Sequence, residues 1–303
     1  MVLETIGKQI YIGLKIPLWQ NLEEKFLHKR VIDRFRLVLI EKGSGILKVG
    51  GNRVLFNAPM VFCISENEEV ILEKSIQLKA SSVYFSPEAV NSALTFENIR
   101  SDSAGISEIE RNDCILFEPF HIRHNGYHGQ LQLTPSTFSR IIQLLGFIGK
   151  ELGEQKNYYW PCRSRSFFIE LLFIAKSIFL ISQTDNSVVL DEKSEVCLNQ
   201  IALYLNSNYE KKITVPDLSK AFNINKIILN ENFKERFGMP VIPYLVKLRI
   251  CLATMLLRNT MIPISEIMER TGFNDLANFT RIFHKEEGLS PGEYREKNCW
   301  LLK

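Results

Sequence analysis

The last hundred residues repeat themselves at a spacing close to fifty. Ile213, Asp217 and Leu218 recur 49 residues later as Ile262, Glu266 and Ile267. Leu229, Phe233, Gly238 and Tyr244 recur 50 residues later as Phe279, Phe283, Gly288 and Tyr294. The offset changes by one between these sets, where each copy passes from one helix to the next. A repeat of this length means that one supersecondary unit is used twice.

Each copy reads as helix, turn, helix. In the first, Thr214 caps a helix with Pro216 in its first turn. Leu218, Ala221 and Phe222 are expected inside, and Asn223 supplies the left-handed residue of a tight turn. A second helix from about Lys226 is expected to bury Ile228, Leu229, Phe233 and Phe237 before Gly238 closes it. In the second copy Ile264, Ile267 and Met268 face inward, Gly272 turns the chain and Asp275 caps the next helix. Phe279, Ile282 and Phe283 form its core side, Gly288 ends it, and Ser290-Pro291 stops it continuing. Between the copies Val241–Arg258 reads as a long helix with Tyr244, Leu245, Leu248, Leu252, Met255 and Leu256 inside. Two such units on a rigid spacer can offer helices to major grooves one turn apart, roughly 34 Å. A spacer that does not yield asks the DNA or the protein to bend.

Residues 1–120 follow a different period. Arg36–Ile40, Gly45–Val49, Val54–Phe56, Met60–Ile64, Val70–Leu72 and Ser82–Phe85 are short runs rich in β-branched residues. Gly43-Ser44-Gly45 and Gly50-Gly51-Asn52 read as turns between them, which predicts an antiparallel barrel or sandwich. From Pro135 the period becomes helical. Ile141, Leu144, Leu145, Ile148 and Leu152 make one stripe, core against the barrel or a dimer seam, or both if subunits pair there. A second helix, about Arg163–Gln183, is apolar on most sides, after a packed turn at Tyr158-Tyr159-Trp160-Pro161. The polar segment Gln183–Ser194 is the best linker. The chain therefore divides into 1–134, 135–190 and 191–303, an α+β arrangement of barrel, helical pair and all-α domain.

The bulk numbers exclude more than they assert. A net charge of +3 is too small to argue for nucleic acid by itself. Residues 194–303 hold 15 Lys and Arg against 12 Asp and Glu, so the excess lies there. Six cysteines without paired spacing imply neither a disulfide framework nor a zinc site. The first twenty residues lack a secretory pattern. Phe167–Ser182, broken by Glu170 and Lys176, falls short of a bilayer span. A cytoplasmic location follows as the expectation.

The C-terminal motifs resemble the AraC/XylS transcription regulators. The resemblance is carried by Asp217-Leu218 through Gly238 and by Tyr244-x4-Arg249-x3-Ala253-x2-Leu256-Leu257. It is carried further by Ile264-x-Glu266-Ile267-x4-Gly272-Phe273-x-Asp275-x3-Phe279-x-Arg281-x-Phe283-x4-Gly288-x-Ser290-Pro291-x2-Tyr294-Arg295. It covers about residues 195–297, and the N-terminal half is similar to the family's cupin-like sensor in architecture. The resemblance implies DNA contacts from Lys226, Ile227, Asn230, Glu231 and Lys234 in the first recognition helix. In the second it implies contacts from Leu276, Asn278, Thr280 and Arg281, with Lys285 on phosphate. Arg281 matches the family's usual arginine and suits guanine. Glu231 stands where many relatives carry arginine, and His284 where they usually carry lysine. It further implies a dimeric, effector-responsive activator that binds promoter DNA and RNA polymerase. No cofactor, metal or membrane is implied.

Other candidates read more plainly. Arg34, Arg36 and Lys48 lie near strands and suit an anionic or hydroxylated effector in the barrel, though each also suits solvent. His121, His124 and His128 flank Gly126 where strand gives way to helix, so no single face gathers them. Residues 30–120 hold no histidine, against an enzymatic cupin. Arg249 is expected to pair with a carboxylate such as Glu266, and Lys211-Lys212 to be a solvated loop. One rival is a regulator controlled by a protein partner. The other is a DNA-targeted alkyl-transfer enzyme, which would need an activated cysteine such as Cys162.

Overall fold

The computed structural model describes residues 3–24, 31–100, 107–124, 126–183 and 192–302. The chain forms two compact units, 1–176 and 177–303, and the division falls within one helix. Most of the expected linker Gln183–Ser194 lies outside the described residues.

The first unit is built on antiparallel strands. β1 (Thr5–Ile6) and β2 (Lys15–Ile16) form a small hairpin. A six-stranded sheet comprises β3 (Leu18–Asn21), β4 (Phe35–Val49), β5 (Asn52–Asn57), β6 (Met60–Ile64), β7 (Val70–Phe85) and β8 (Gln130–Gln132). Its order is β3-β7-β4-β6-β8, with β5 on β4, so the path is open at β3 and β8 rather than closed as a barrel. β4 joins two runs that read as separate strands, and β7 does the same. Gly43-Ser44-Gly45 is no turn: β4 runs through it with register shifts against β7. A Cβ on Gly43 would collide with the Ile76 carbonyl, and one on Gly45 with that of Lys74. Both glycines thus mark close approaches of two backbones, and Gly43 falls at a bulge. Gly50-Gly51 is the expected turn, with both residues at positive φ between paired Val49 and Asn52.

The bent strands fold over one apolar cluster. Val38, Ile40, Leu47, Val49, Val54, Phe56, Phe62, Ile64 and Val70 fill the inner face of the sheet. The other face carries Phe35 and Phe85: Phe35 stacks on Phe117 and meets Phe120 at a tilt, and Phe85 meets Phe120 and Phe168 edge-on. These last three come from the segments around α1 (Glu108–Cys114) and α2 (Glu118–His121), and from a later helix.

α3 (Pro135–Glu154) is capped by Thr134 and buries Ile141, Leu144, Leu145, Ile148 and Leu152, the expected stripe. α4 (Trp160–Gln183) starts earlier than expected and takes in Trp160-Pro161, so the turn is confined to the residues before it. It is also long and apolar enough to cross a bilayer, contrary to the sequence reading, but most of that stretch is buried. It is a core helix: Glu170, fully buried, pairs with Arg140 of α3 at 2.9 Å, and Lys176 pairs with Glu118.

The second unit is all helix: α5 (Glu192–Asn208), α6 (Val215–Ala221), α7 (Lys226–Phe237), α8 (Val241–Asn259), α9 (Ile264–Arg270), α10 (Leu276–Glu287) and α11 (Pro291–Asn298). α8 rises about 28 Å at 1.5 Å per residue. α7, α9 and α11 all pack on it.

Candidate nucleic-acid interface

Two helix-turn-helix units flank α8. In the first, Thr214 and Asp217 form a capping box, and Pro216 sits in the first turn of α6. The Thr214 hydroxyl and amide hold the Asp217 carboxyl below its ordinary value. Asn223, at φ 51°, turns the chain, and Asn225 caps α7 through the Ile227 amide at 2.8 Å. Gly238, at φ 77°, ends α7. In the second unit Gly272 has φ 83°, Asp275 caps α10 through the Asn278 amide at 2.7 Å, and Gly288 ends it at φ 73°. The turn spans 222–225 in the first copy and 271–275 in the second, which is where the repeat offset changes.

The repeat also extends to packing. Phe233 meets Tyr244 edge-on at 5.3 Å, and Phe283 meets Tyr294 edge-on at 5.4 Å. Tyr294 accepts a bond from the buried Arg258, and Arg295 donates to the Ile262 carbonyl at 2.7 Å. The distal Tyr-Arg pair thereby locks α11 to α8 and to the start of the second copy. The copies differ in burial. Within 215–238 Leu218, Leu229 and Phe233 are buried, whereas 264–288 buries Ile267, Met268, Thr271, Phe273, Phe279 and Phe283. Two inward expectations fail in the first copy, where Ala221 is exposed and Ile228 is 49% exposed.

Arg249 is also corrected. It donates to the carbonyls of Tyr209 and Lys211 at 2.8 and 2.7 Å and lies over the Phe273 ring. Glu266 pairs instead with Arg270, one turn along α9. Arg249 thus joins the end of α5 to the second turn. The expected carboxylate Glu266 is thus replaced by backbone carbonyls just past the end of α5, with the charge of Glu210 acting on the guanidinium as well.

The outward faces carry the candidate contacts. On α7 Lys226, Ile227, Glu231 and Lys234 are exposed and Asn230 is partly so. On α10 Leu276, Asn278, Arg281, His284 and Lys285 are exposed and Thr280 is partly so. Asn278 accepts a bond from the Arg281 guanidinium at 2.9 Å, which orients the arginine while leaving most of its donors outward.

A helix-turn-helix domain model matches residues 218–297. Over 110 residues the chain is 34% identical to the HTH-type transcriptional regulator YdiP of Escherichia coli (strain K12), a match spanning 36% of either chain. Over 266 residues it is 24% identical to the HTH-type transcriptional activator RhaS of Enterobacter sp. (strain 638), covering 87% of this chain and 86% of the relative. The chain is a DNA-binding transcriptional regulator, similar in its helix-turn-helix domain to the AraC type. A solved C-terminal domain of the two-component response regulator yesN from Fusobacterium nucleatum is 31% identical. It covers 35% of this chain and all of that one, with a TM-score of 0.31. The curated relatives are transcriptional regulators and not enzymes, which speaks against alkyl transfer through Cys162.

In the regulator's N-terminal unit the three expected effector residues do not converge. Arg34 pairs with Glu4 at 3.1 Å. Arg36 is buried near the start of β4, its guanidinium over the Tyr84 ring at 5.7 Å. Lys48 lies at the far end of the same strand. Beside Arg36, Glu24 accepts from Ser82 and Tyr84 at 2.5 and 2.6 Å, a polar cluster that sequence spacing did not signal. His121 bonds the Phe117 carbonyl and His124 stacks on Tyr127, each in its own local structure. A trough of about 640 Å³ runs between β3 and α3. Ile6, Trp19, Leu22 and Leu145 line it together with Lys8 and Lys150.

Proposed function

We propose that this regulator recognises a promoter through α7 and α10 together, as a dimer, and activates transcription by RNA polymerase in response to a small effector. The observation that carries the DNA reading is the outward Asn278–Arg281 pair on α10, a donor fork aimed away from the core. On α7 the contacts would come from Lys226, Ile227, Asn230, Glu231 and Lys234, and on α10 from Leu276, Asn278, Thr280 and Arg281, with Lys285 on phosphate. Activation is proposed from the likeness to the activator RhaS.

The effector would bind outside the sheet interior. Apolar side chains occupy the sheet interior, whereas the trough between β3 and α3 has a volume in the range of small-molecule sites. Mapping the sites occupied by the full chain across the genome tests the function directly. The expected outcome is a shared sequence upstream of genes, with two blocks about one helical turn apart. Scattered occupancy with no shared sequence would overturn it. The products of the neighbouring genes then supply candidate effectors. One that binds raises the melting temperature. A regulator controlled by a protein partner shows no such shift.

A further inference from the structure

The two recognition helices share an oddity. Among the described residues of 192–302, the large apolar side chains exposed to solvent are Val196, Ile227, Ile228, Leu276 and Leu302. Three of the five fall in the first three positions of α7 and α10. Ile227 is 68% exposed and Leu276 51%. Aliphatic groups do nothing for a phosphate, and in water they contribute nothing to the fold. They gain only if a partner covers them with apolar surface.

The first turn of a recognition helix is the part that reaches base edges. In the major groove the apolar substituent on a base edge is the 5-methyl group of thymine. The repeat strengthens the point. At an offset of 50, Ile227 corresponds to Ala277, which is also exposed and apolar, while Glu231 corresponds to the oppositely charged Arg281. The copies therefore differ in hydrogen-bonding chemistry but agree in placing alkyl groups at the helix entrance.

We propose that both recognition helices read thymine through its 5-methyl group, Ile227 in the first and Leu276 with Ala277 in the second. This rests on both helices entering the major groove, as proposed above. It assigns α7 a base-reading role in spite of Glu231.

The test uses the full chain and a duplex selected by it from a random pool. Each thymine in that duplex is replaced in turn by uracil, which removes the methyl group and keeps the pairing. Affinity is expected to fall about three- to tenfold at one or two thymines in each half of the site, the scale of one lost buried methyl contact, and to hold elsewhere. Ile227→Ala should abolish the uracil effect in one half only, and Leu276→Ala in the other only. Tight binding that tolerates uracil throughout overturns the methyl reading while leaving two-helix recognition standing. A uracil effect that neither variant moves also overturns it. Failure of the pool to yield any preferred sequence overturns both. The uracil series needs no altered protein, so misfolding of a variant leaves its result intact.

Discussion

Glu231 and Arg281 hold the same place in the two copies and carry opposite charge. Arg281→Ala is expected to cost about 1–3 kcal/mol of operator affinity and to relax preference at one base pair. Mobility shifts across single-base operator variants check this, and an unchanged ranking would count against the assignment. Glu231→Arg should raise affinity for unrelated DNA and steepen its salt dependence by about one counterion. A drop in operator affinity would instead identify Glu231 as a cytosine contact. Both positions were legible because the repeat aligns them against a buried phenylalanine, Phe233 or Phe283. Ile228 shows the reverse. Helical spacing alone assigns it to the apolar stripe, but that stripe is narrow in a unit that buries few residues. Arg249 shows a third case. A cation predicts an acceptor, and only the folded chain shows that the acceptors are backbone carbonyls.

At the scale of elements, the glycines that look alike in sequence do different work. Gly288 has a positive φ with open space where a Cβ would go, whereas a Cβ on Gly272 would strike the Tyr209 carbonyl. Gly288→Ala should therefore cost about 1 kcal/mol, for the left-handed backbone alone. Gly272→Ala should cost clearly more, because the turn must move away from α5. Thermal unfolding of the two variants compares them directly, and equal losses would refute the collision. The same ambiguity blurred the sheet. Gly43-Ser44-Gly45 and Gly50-Gly51 both read as turns, yet only the second reverses the chain. A bulge and a turn both call for residues without a Cβ, and local composition does not separate them. The helices were easier to read: the caps Thr214 and Asp275 and the stops Gly238 and Gly288 each act within one turn of themselves. α4 falls between. Its apolar run was evident, but its first residues lay hidden in an aromatic-proline string.

At the scale of the molecule, α5–α11 close on themselves through Arg236–Glu195, Arg249–Tyr209 and Trp300–Asn259. A fragment of residues 190–303 is thus expected to fold and to bind DNA. Circular dichroism and mobility shifts test this, and an insoluble or inert fragment would mean that the helix-turn-helix units lean on what precedes them. The unequal burial of the two copies has a further consequence, one of timing. Structure with fewer buried apolar groups opens at lower cost. The amides of α6 and α7 should then exchange with solvent deuterium sooner than those of α9 and α10, although the helices match in length. On the proposed reading, the second motif would meet an operator already set. The first would arrive looser, and its ordering on the groove would then be the step at which a poor sequence is let go.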